Sequence, residues 1–167
     1  DILLELIPAE VTGVEAVGLP ALSAHEDIAN ARLTFASGCV ANLTASRVAT
    51  RAVRKLRILQ PDSYISINYG ERRAYAFRKR PDAPDPATID PASLPDPKSF
   101  VFERLVLAEE LPMHPHDALE QELAAFLNVV ATGAPPPCSG RDARRALALA
   151  CRILDSIQAT RQRYPRT

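Results

Sequence analysis

The sequence lacks an excess of either charge and lacks any long apolar run. Twenty Lys and Arg residues balance twenty Asp and Glu residues among 167 positions, so the formal net charge is zero. A nucleic-acid-binding protein needs a basic patch, and a membrane-spanning helix needs roughly 20 consecutive apolar residues. We therefore expect neither nucleic acid nor a membrane as a partner.

Cysteine is scarce and is not spaced for metal binding. The three cysteines, Cys39, Cys138 and Cys151, are odd in number and form no C-x-x-C motif. This pattern argues against a disulfide framework and against a zinc site. It predicts that all three cysteines are buried and act as small hydrophobic residues. It also predicts that the protein belongs to the reducing cytoplasm.

The sequence has no initiator Met and no targeting segment at its start. The opening residues DILLELIP have the pattern of an amphipathic helix tail that ends at Pro8. A chain that starts inside a structural element is expected to be part of a longer polypeptide.

Motifs for catalysis and for cofactor binding are also missing. No Ser-His-Asp or Cys-His set can be assembled, and no glycine-rich strand-turn-helix could hold a dinucleotide. His114 and His116 flank Pro115 without a third ligand nearby, which favours loop residues over a metal pair. We assign no catalytic, cofactor-binding or metal residue in this chain.

The first half of the chain has the alternation of antiparallel strands. The segments EVTGVEAVGL, RKLRILQ, SYISINYG and RRAYAF are rich in β-branched or aromatic residues and are separated by turn-forming residues. The stretch ARLTFASGCVANLTASR predicts a hairpin. A three-residue loop with a left-handed Gly38 pairs Phe35 with Cys39, Leu33 with Ala41 and Ala31 with Leu43.

This register leaves the second hairpin face lined by polar and small residues. It carries Ile28, Asn30, Arg32 and Thr34 opposite Ser46, Thr44, Asn42 and Val40. Such a face is either solvated or covered by the second sheet of a symmetric dimer, and the pattern alone favours neither. For the dimer, Asn30, Arg32, Asn42 and Thr44 are the predicted interface residues.

The remainder predicts an insert and two helices. Residues 81–97 form a Pro-rich surface insert, after which SFVFERLVL resumes strand alternation. Asp117 and Ser139 are predicted helix N-caps, and the second helix is expected to pack on the sheet. Its predicted packing stripe is Leu147, Ala150, Cys151, Leu154 and Ile157. The predicted fold class is α+β, with one antiparallel sheet, helices on one face and the other face open.

These segments resemble the C-terminal, dihydrodipicolinate-reductase-like domain of the glucose-fructose oxidoreductase, inositol dehydrogenase and rhizopine-catabolism (Gfo/Idh/MocA) family. DILLELI is similar to the helix after its His-x-x-Asp pattern, and ARLTFASGCVANLTASR to its F-x-x-G hairpin. LEQELAAFLNVVATGAPPPCSGRDARRALALACRILDSI resembles its closing helix pair. The resemblance implies that residues 1–167 are one substrate-binding and oligomerisation domain without the N-terminal Rossmann domain.

The resemblance also implies a function for the parent protein. It would be a cytoplasmic NAD(P)-dependent dehydrogenase of a sugar or sugar nucleotide, with RKLRILQPDSYISINY most similar to members that oxidise UDP-linked amino sugars. The parent would bind NAD or NADP and form a homodimer or higher oligomer, while this chain alone would bind no cofactor and be inactive. The alternative is a non-catalytic binding or assembly module that only shares the fold.

Within this framework, Arg47, Asp1 and His25 are the candidate substrate-binding residues. Asp1 matches the last position of His-x-x-Asp, and Arg47 ends the hairpin near the family's pocket, where a guanidinium suits a carboxylate or phosphate. The competing interpretation of Arg47 is a cross-strand ion pair with Asp27. For His25 it is a capping or solvated residue.

Three tyrosines could stack on a sugar ring. Tyr64, Tyr69 and Tyr75 fall in adjacent predicted strands. Aromatic residues commonly pack on each other across a sheet, and this is the interpretation we favour.

Overall fold

Two antiparallel sheets divide the chain into two compact units. The computed structural model describes residues 1–113 and 117–163. Residues 1–50 and 117–163 form the first unit, and residues 51–113 form the second. In chain order, the helices and strands are α1 (Ile2–Leu6), β1 (Val11–Leu19), β2 (Ile28–Phe35), β3 (Val40–Ser46), β4 (Lys55–Gln60), β5 (Ser63–Asn68), β6 (Arg73–Lys79), α2 (Pro97–Phe100), β7 (Val106–Leu111), α3 (Ala118–Thr132) and α4 (Gly140–Arg163).

The α+β class with antiparallel pairing is confirmed, but the prediction of one sheet is wrong. The first unit holds a sheet of order β1-β2-β3, and the second holds a sheet of order β4-β5-β6-β7. Alternation identifies a strand and its faces without specifying which edge it joins, so the sequence pattern could not separate the sheets. That residues 1–167 fold as one domain stays a prediction.

The predicted hairpin register is confirmed. Leu33 pairs with Ala41 and Ala31 with Leu43, while the Phe35 backbone N–H donates to the Cys39 carbonyl at 2.9 Å. Gly38 has a φ of 83°, which a residue with a Cβ rarely adopts. The three-residue turn therefore puts Leu33 and Phe35 on the buried face and the polar residues on the other.

The core of the first unit lies between its sheet and the helices α1 and α4. Val11, Leu33 and Phe35 form one buried cluster. Leu3 and Leu4 of α1, Ile7 directly after α1, and Leu149 and Ile153 of α4 pack against it. A second cluster joins Ala16 and Ala31 to Ile157. Burial of these side chains holds α4 on the sheet.

The predicted packing stripe of α4 is wrong except at Ile157. Leu149, Ile153 and Ile157 face the sheet, whereas Leu147, Cys151 and Leu154 are exposed. Hydrogen bonds from α4 to the edge of β1 set this rotation, since Arg152 donates to the Val11 carbonyl and Thr160 to the Ala16 carbonyl. The prediction that all three cysteines are buried is also wrong, because each is exposed.

Both predicted helix caps are confirmed. The Asp117 carboxylate accepts hydrogen bonds from the backbone N–H groups of Leu119 and Glu120 at the start of α3. Gly133, with a φ of 68°, ends that helix. Before α4, the Ser139 hydroxyl accepts from the Asp142 backbone N–H at 3.4 Å and donates to the Asp142 carboxylate at 2.6 Å.

The Pro-rich insert contains short helical turns, and the strand after it starts later than predicted. It contains 3-10 turns at Pro86–Thr88 and Pro91–Ser93 and leads into α2. Asp96 caps α2 by accepting from the N–H groups of Lys98 and Ser99, and a π-helical turn, Val101–Leu105, follows. The cap overrides alternation here, so β7 begins at Val106 rather than at Ser99.

None of the helices in the described ranges is long and apolar enough to cross a membrane. Among residues 1–113 and 117–163, no group of three or more His, Cys, Asp or Glu side chains is placed to hold a metal ion. His114 and His116 lie outside the described residues.

Candidate functional site

The open face of the three-stranded sheet is the first candidate surface. Its cross-strand pairs are Ile28–Ser46, Asn30–Thr44, Arg32–Asn42 and Thr34–Val40, as predicted. Thr44 donates to the Asn30 side-chain oxygen at 2.8 Å, and Arg32 donates to the Asn42 side-chain oxygen at 3.3 Å. These contacts join the amides, the Thr44 hydroxyl and the guanidinium in one polar surface.

An open groove of about 550 Å³ runs over this sheet and the end of α4. Its lining includes Asn30, Arg32, Asn42, Thr44 and Arg163. Exposed apolar side chains of Val17, Leu19 and Val40 lie on the same sheet. The surface combines hydrogen-bonding groups with apolar contacts, which is the composition of many protein interfaces.

The second candidate is the loop 20–27, which Asp27 organises. Asp27 is 5% exposed, and its Oδ2 accepts hydrogen bonds from the backbone N–H groups of Ala21, Leu22 and Ser23 at 2.7 to 2.9 Å. Its Oδ1 accepts from the Ser23 hydroxyl at 3.0 Å. These bonds, led by those from Leu22 and Ser23, hold the pKa of Asp27 well below its ordinary value. A carboxylate held ionised in this way is unsuited to donate a proton at neutral pH.

Arg47 joins this loop from the end of β3. Its Nη2 lies 3.3 Å from Asp27 Oδ1, 3.1 Å from the Glu26 carbonyl and 3.3 Å from the Ser23 hydroxyl. Its backbone N–H also donates to the Asp27 carbonyl at 2.8 Å. The ion pair proposed as the alternative role for Arg47 is therefore present.

Arg47 nevertheless keeps much of its guanidinium in solvent. The side chain is 61% exposed, and its contacts with Asp27, Glu26 and Ser23 all use Nη2. A planar guanidinium held at one corner can present its other N–H groups to a carboxylate or phosphate. The structural contact and a substrate contact are compatible in this geometry.

The other two candidate residues are placed differently. His25 is exposed in the same loop, where its backbone N–H donates to the Ser23 hydroxyl at 3.2 Å. Asp1 is exposed at the start of α1, where its carbonyl accepts from the Leu4 N–H. The loop thus brings His25 into the neighbourhood of Arg47, while the contacts of Asp1 involve α1.

Sequence reasoning missed a second ion pair at this corner. Arg161 of α4 contacts Glu26 at 2.9 Å, and Glu26 is next to Asp27 in the loop. The partners are 135 positions apart, so no spacing rule could have linked them. The pair ties the loop to the last turn of α4.

In the second unit, the tyrosines pack on neighbouring aromatic rings. Tyr64 stacks on Phe77 across the β5–β6 pair at a centroid distance of 5.5 Å, and Tyr75 lies 6.3 Å from the same ring. Phe102 meets Phe77 edge-on at 6.1 Å. This geometry favours the packing interpretation for Tyr64 and Tyr75, while Tyr69 is exposed after the end of β5.

Comparison with known proteins finds similarity to parts of longer chains, among them a dehydrogenase. No protein-family model matches the chain. Over 163 residues it is 32% identical to UDP-N-acetylglucosamine 3-dehydrogenase from Acidithiobacillus ferrooxidans, covering 98% of this chain and 47% of that enzyme. A solved structure of that enzyme, GnnA, superposes with a TM-score of 0.78 at 31% identity, over 95% of this chain and 45% of the enzyme. The chain spans about half the length of these relatives.

Two more distant structures share the fold alone. An NAD-binding protein from Listeria innocua has a TM-score of 0.71 at 17% identity, over 95% of this chain and 46% of its own. Aldose-aldose oxidoreductase from Caulobacter crescentus, complexed with glycerol, has a TM-score of 0.68 at 20% identity, over 95% and 42%. The α+β fold of this chain thus recurs as part of longer chains.

Proposed function

We propose that the chain is the substrate-binding and self-association part of an NAD(P)-dependent sugar-nucleotide dehydrogenase of the Gfo/Idh/MocA type. The observation that carries this proposal is the 32% identity with UDP-N-acetylglucosamine 3-dehydrogenase across 98% of the chain. The TM-score of 0.78 with a structure of that enzyme supports it. The proposed substrate is a UDP-linked amino sugar, and a reducing cytoplasm suits the three free thiols.

In this proposal, the cofactor is held by the other half of the parent. Hydride transfer requires a nicotinamide placed against the reacting carbon, and the sequence contains no glycine-rich βαβ unit for the pyrophosphate. This chain would supply the sheet and the loop 20–27 that support the sugar nucleotide. Arg47, His25 and Asp1 are the proposed contacts.

The decisive experiment is expression of the complete reading frame that contains these 167 residues. We expect NAD(P)-dependent oxidation of UDP-N-acetylglucosamine, followed by reduced-nicotinamide absorbance, and a glycine-rich half upstream of Asp1. The 167-residue chain alone should neither oxidise the sugar nucleotide nor bind NAD(H) at micromolar concentration by calorimetry. A frame with no such half, together with cofactor-independent ligand binding, would favour the non-catalytic module instead.

The role of Arg47 is tested in the same complete protein. A desolvated contact to a charged partner is worth about 1.5 to 3 kcal/mol, so Arg47→Lys should raise KM roughly tenfold or more with a nearly unchanged melting temperature. By comparison, the ion pair between Arg47 and Asp27 contributes little to the free energy of folding, because the Arg47 side chain is exposed. Equal stability losses in Arg47→Ala and Asp27→Ala that couple in a double-mutant cycle, with unchanged kinetics, would make Arg47 a structural partner only.

We further propose that the parent self-associates through the open face of β1, β2 and β3. Asn30, Arg32, Asn42 and Thr44 would hydrogen-bond across a two-fold axis, and Ile28 and Val40 would supply apolar contact. The exposure of Val17, Leu19 and Val40 beside these polar groups supports the proposal.

A further inference from the structure

Glu26 contacts two arginines that are far apart in the sequence. Its carboxylate accepts a hydrogen bond from Arg161 Nη1 of α4 at 2.9 Å. Its backbone carbonyl accepts from Nη2 of Arg47, directly after β3, at 3.1 Å. These two bonds connect the last turn of α4 to Arg47 through a single residue of the loop 20–27.

The side chain of Glu26 lies in a confined position beside Gly18 of β1. A Cβ added to Gly18 would be 2.8 Å from Glu26 Cγ, which is closer than two non-bonded carbon atoms can lie. In its pair with Arg161, the Glu26 side chain is only 21% exposed. The Glu26 side chain is therefore packed along its stem and bonded at its end, which restricts it to few rotamers.

The Glu26 carbonyl is one of three acceptors around a single nitrogen of Arg47. The Asp27 carboxylate and the Ser23 hydroxyl each lie 3.3 Å from the same Nη2. Because Nη2 carries only two hydrogens, the three acceptors compete for them. The guanidinium is planar and rigid, so a shift of the Glu26 carbonyl would change the direction in which its remaining N–H groups point.

We infer that Glu26, held by Arg161, is a positioning residue that directs the remaining N–H groups of Arg47 toward a phosphate of the sugar nucleotide. This inference rests on the proposed function for the substrate contact of Arg47. Glu26 and Arg161 do not touch the substrate in this arrangement, and both act through Arg47. Loss of the Arg161 charge should therefore weaken substrate binding without slowing the chemical step.

Side-chain NMR of the 167-residue chain tests the positioning without any activity. Relaxation of the arginine Nε–H groups reports how tightly each guanidinium is held. Arg161→Gln should lower the order parameter of Arg47 by about 0.2, which is comparable with the difference between a rigid and a flexible backbone. Arg144→Gln, at an exposed position of the same helix, is the matched control and should leave Arg47 unchanged. Both variants should melt like the unsubstituted chain, which verifies that they fold.

A substitution at the other end of the ion pair repeats the test. Glu26→Gln keeps the size of the side chain but removes the charge that Arg161 contacts, so it should lower the order parameter of Arg47 in the same way. Glu122→Gln, at an exposed position of α3, is its matched control.

Kinetics of the complete protein test whether this order serves substrate binding. Arg161→Gln should raise KM for the sugar nucleotide roughly threefold with an unchanged kcat. Arg161→Lys, which keeps a cation opposite Glu26, should restore most of the original KM. Because Arg161 acts through Arg47, adding Arg161→Gln to Arg47→Lys should raise KM no further than Arg47→Lys alone.

Three results would overturn the inference. The first is an order parameter of Arg47 that is the same in Arg161→Gln and in the unsubstituted chain. The second is an effect of Arg161→Gln on KM that is equally large in the presence of Arg47→Lys, which would make Arg161 an independent contact. The third is an unchanged KM in Arg47→Lys.

Failure of the proposed function has a different signature, because relaxation reports order and not turnover. If Arg161→Gln loosens Arg47 but the complete protein oxidises no sugar nucleotide, the positioning by Glu26 is supported and the proposed substrate is wrong.

Discussion

Gly18 of β1 lies close to the side chain of Ile157 in α4. A Cβ added there would lie 2.8 Å from the Glu26 side chain and 3.0 Å from the Ile157 side chain. Ile157 is almost fully buried and cannot move aside without opening the core. The small size of Gly18 therefore allows α4 to rest on the sheet.

Gly18→Ala is expected to destabilise the chain. Overpacking of a close contact costs about 1 to 3 kcal/mol, which outweighs the smaller entropic benefit of replacing glycine in a strand. Urea denaturation followed by circular dichroism measures the change. Gly140→Ala is the control, because an added Cβ there meets no atom within 4 Å and should be neutral or stabilising.

Asp27 should make the stability of the chain depend on pH in the acidic range. Its pKa is lowered from an ordinary value of 3.8 by the backbone hydrogen bonds of the loop, so the folded state favours the ionised form. The stabilisation is complete above about pH 3.8 and is lost as the pH falls below it, because protonation then favours the unfolded state.

The variant Asp27→Asn tests this dependence. We expect a melting temperature lower by several degrees at pH 7 and a shallower decline of stability below pH 4. Asp155→Asn, at an exposed position of α4, is the matched substitution and should retain the parental decline. If the stability of Asp27→Asn and of the unsubstituted chain depends on pH in the same way, the stability of the loop does not depend on the carboxylate charge.

At the scale of elements, α4 completes the free edge of β1. Side chains of Arg152, Ser156 and Thr160, spaced four residues apart, bond the backbone of β1. Ser156 accepts from the Ala16 N–H at 2.9 Å. An edge strand otherwise presents unpaired backbone groups that can template pairing with another chain, and this helix covers them.

Ser156→Ala is expected to destabilise the contact between α4 and β1. It would leave the Ala16 N–H without its hydroxyl acceptor in a partly buried position, at a cost of about 1 to 3 kcal/mol. Chemical denaturation provides the measurement. Ser46→Ala, at the exposed end of β3, should change stability by less than about 0.5 kcal/mol. Equal effects of the two substitutions would refute the edge-covering role.

At the scale of the whole molecule, association should report on the open face. Thr44→Glu places a carboxylate beside the Asn30 side-chain oxygen that Thr44 now bonds, so an interface formed by this face should be weakened. We expect light scattering to show a concentration-dependent dimer for the unsubstituted chain and a monomer for Thr44→Glu. Thr50→Glu, outside the strands, should still dimerise. If the unsubstituted chain stays monomeric at high concentration, the open face is solvated and is not an interface.

Local chemistry alone determined much of this protein. The hairpin register follows from the left-handed requirement at Gly38 and from keeping Leu33 and Phe35 on one face. The start of α3 follows from the capping chemistry of Asp117. The Arg47–Asp27 pair follows from the same register, because that register places the two residues opposite each other just beyond the Ile28–Ser46 pair. In each case the interacting groups are close in sequence, so spacing rules apply.

Only the tertiary structure decided which side of α4 faces the sheet, how the strands divide into two sheets, and which loop Asp27 anchors. The rotation of α4 depends on hydrogen bonds between Arg152, Ser156 and Thr160 and a strand about 140 residues earlier. Leu149, Ile153 and Ile157 and the stripe that we predicted both have helical spacing, so periodicity alone favoured the wrong side of the helix. The choice rests on long-range pairing of backbone groups, and such pairing leaves no local pattern in a single sequence.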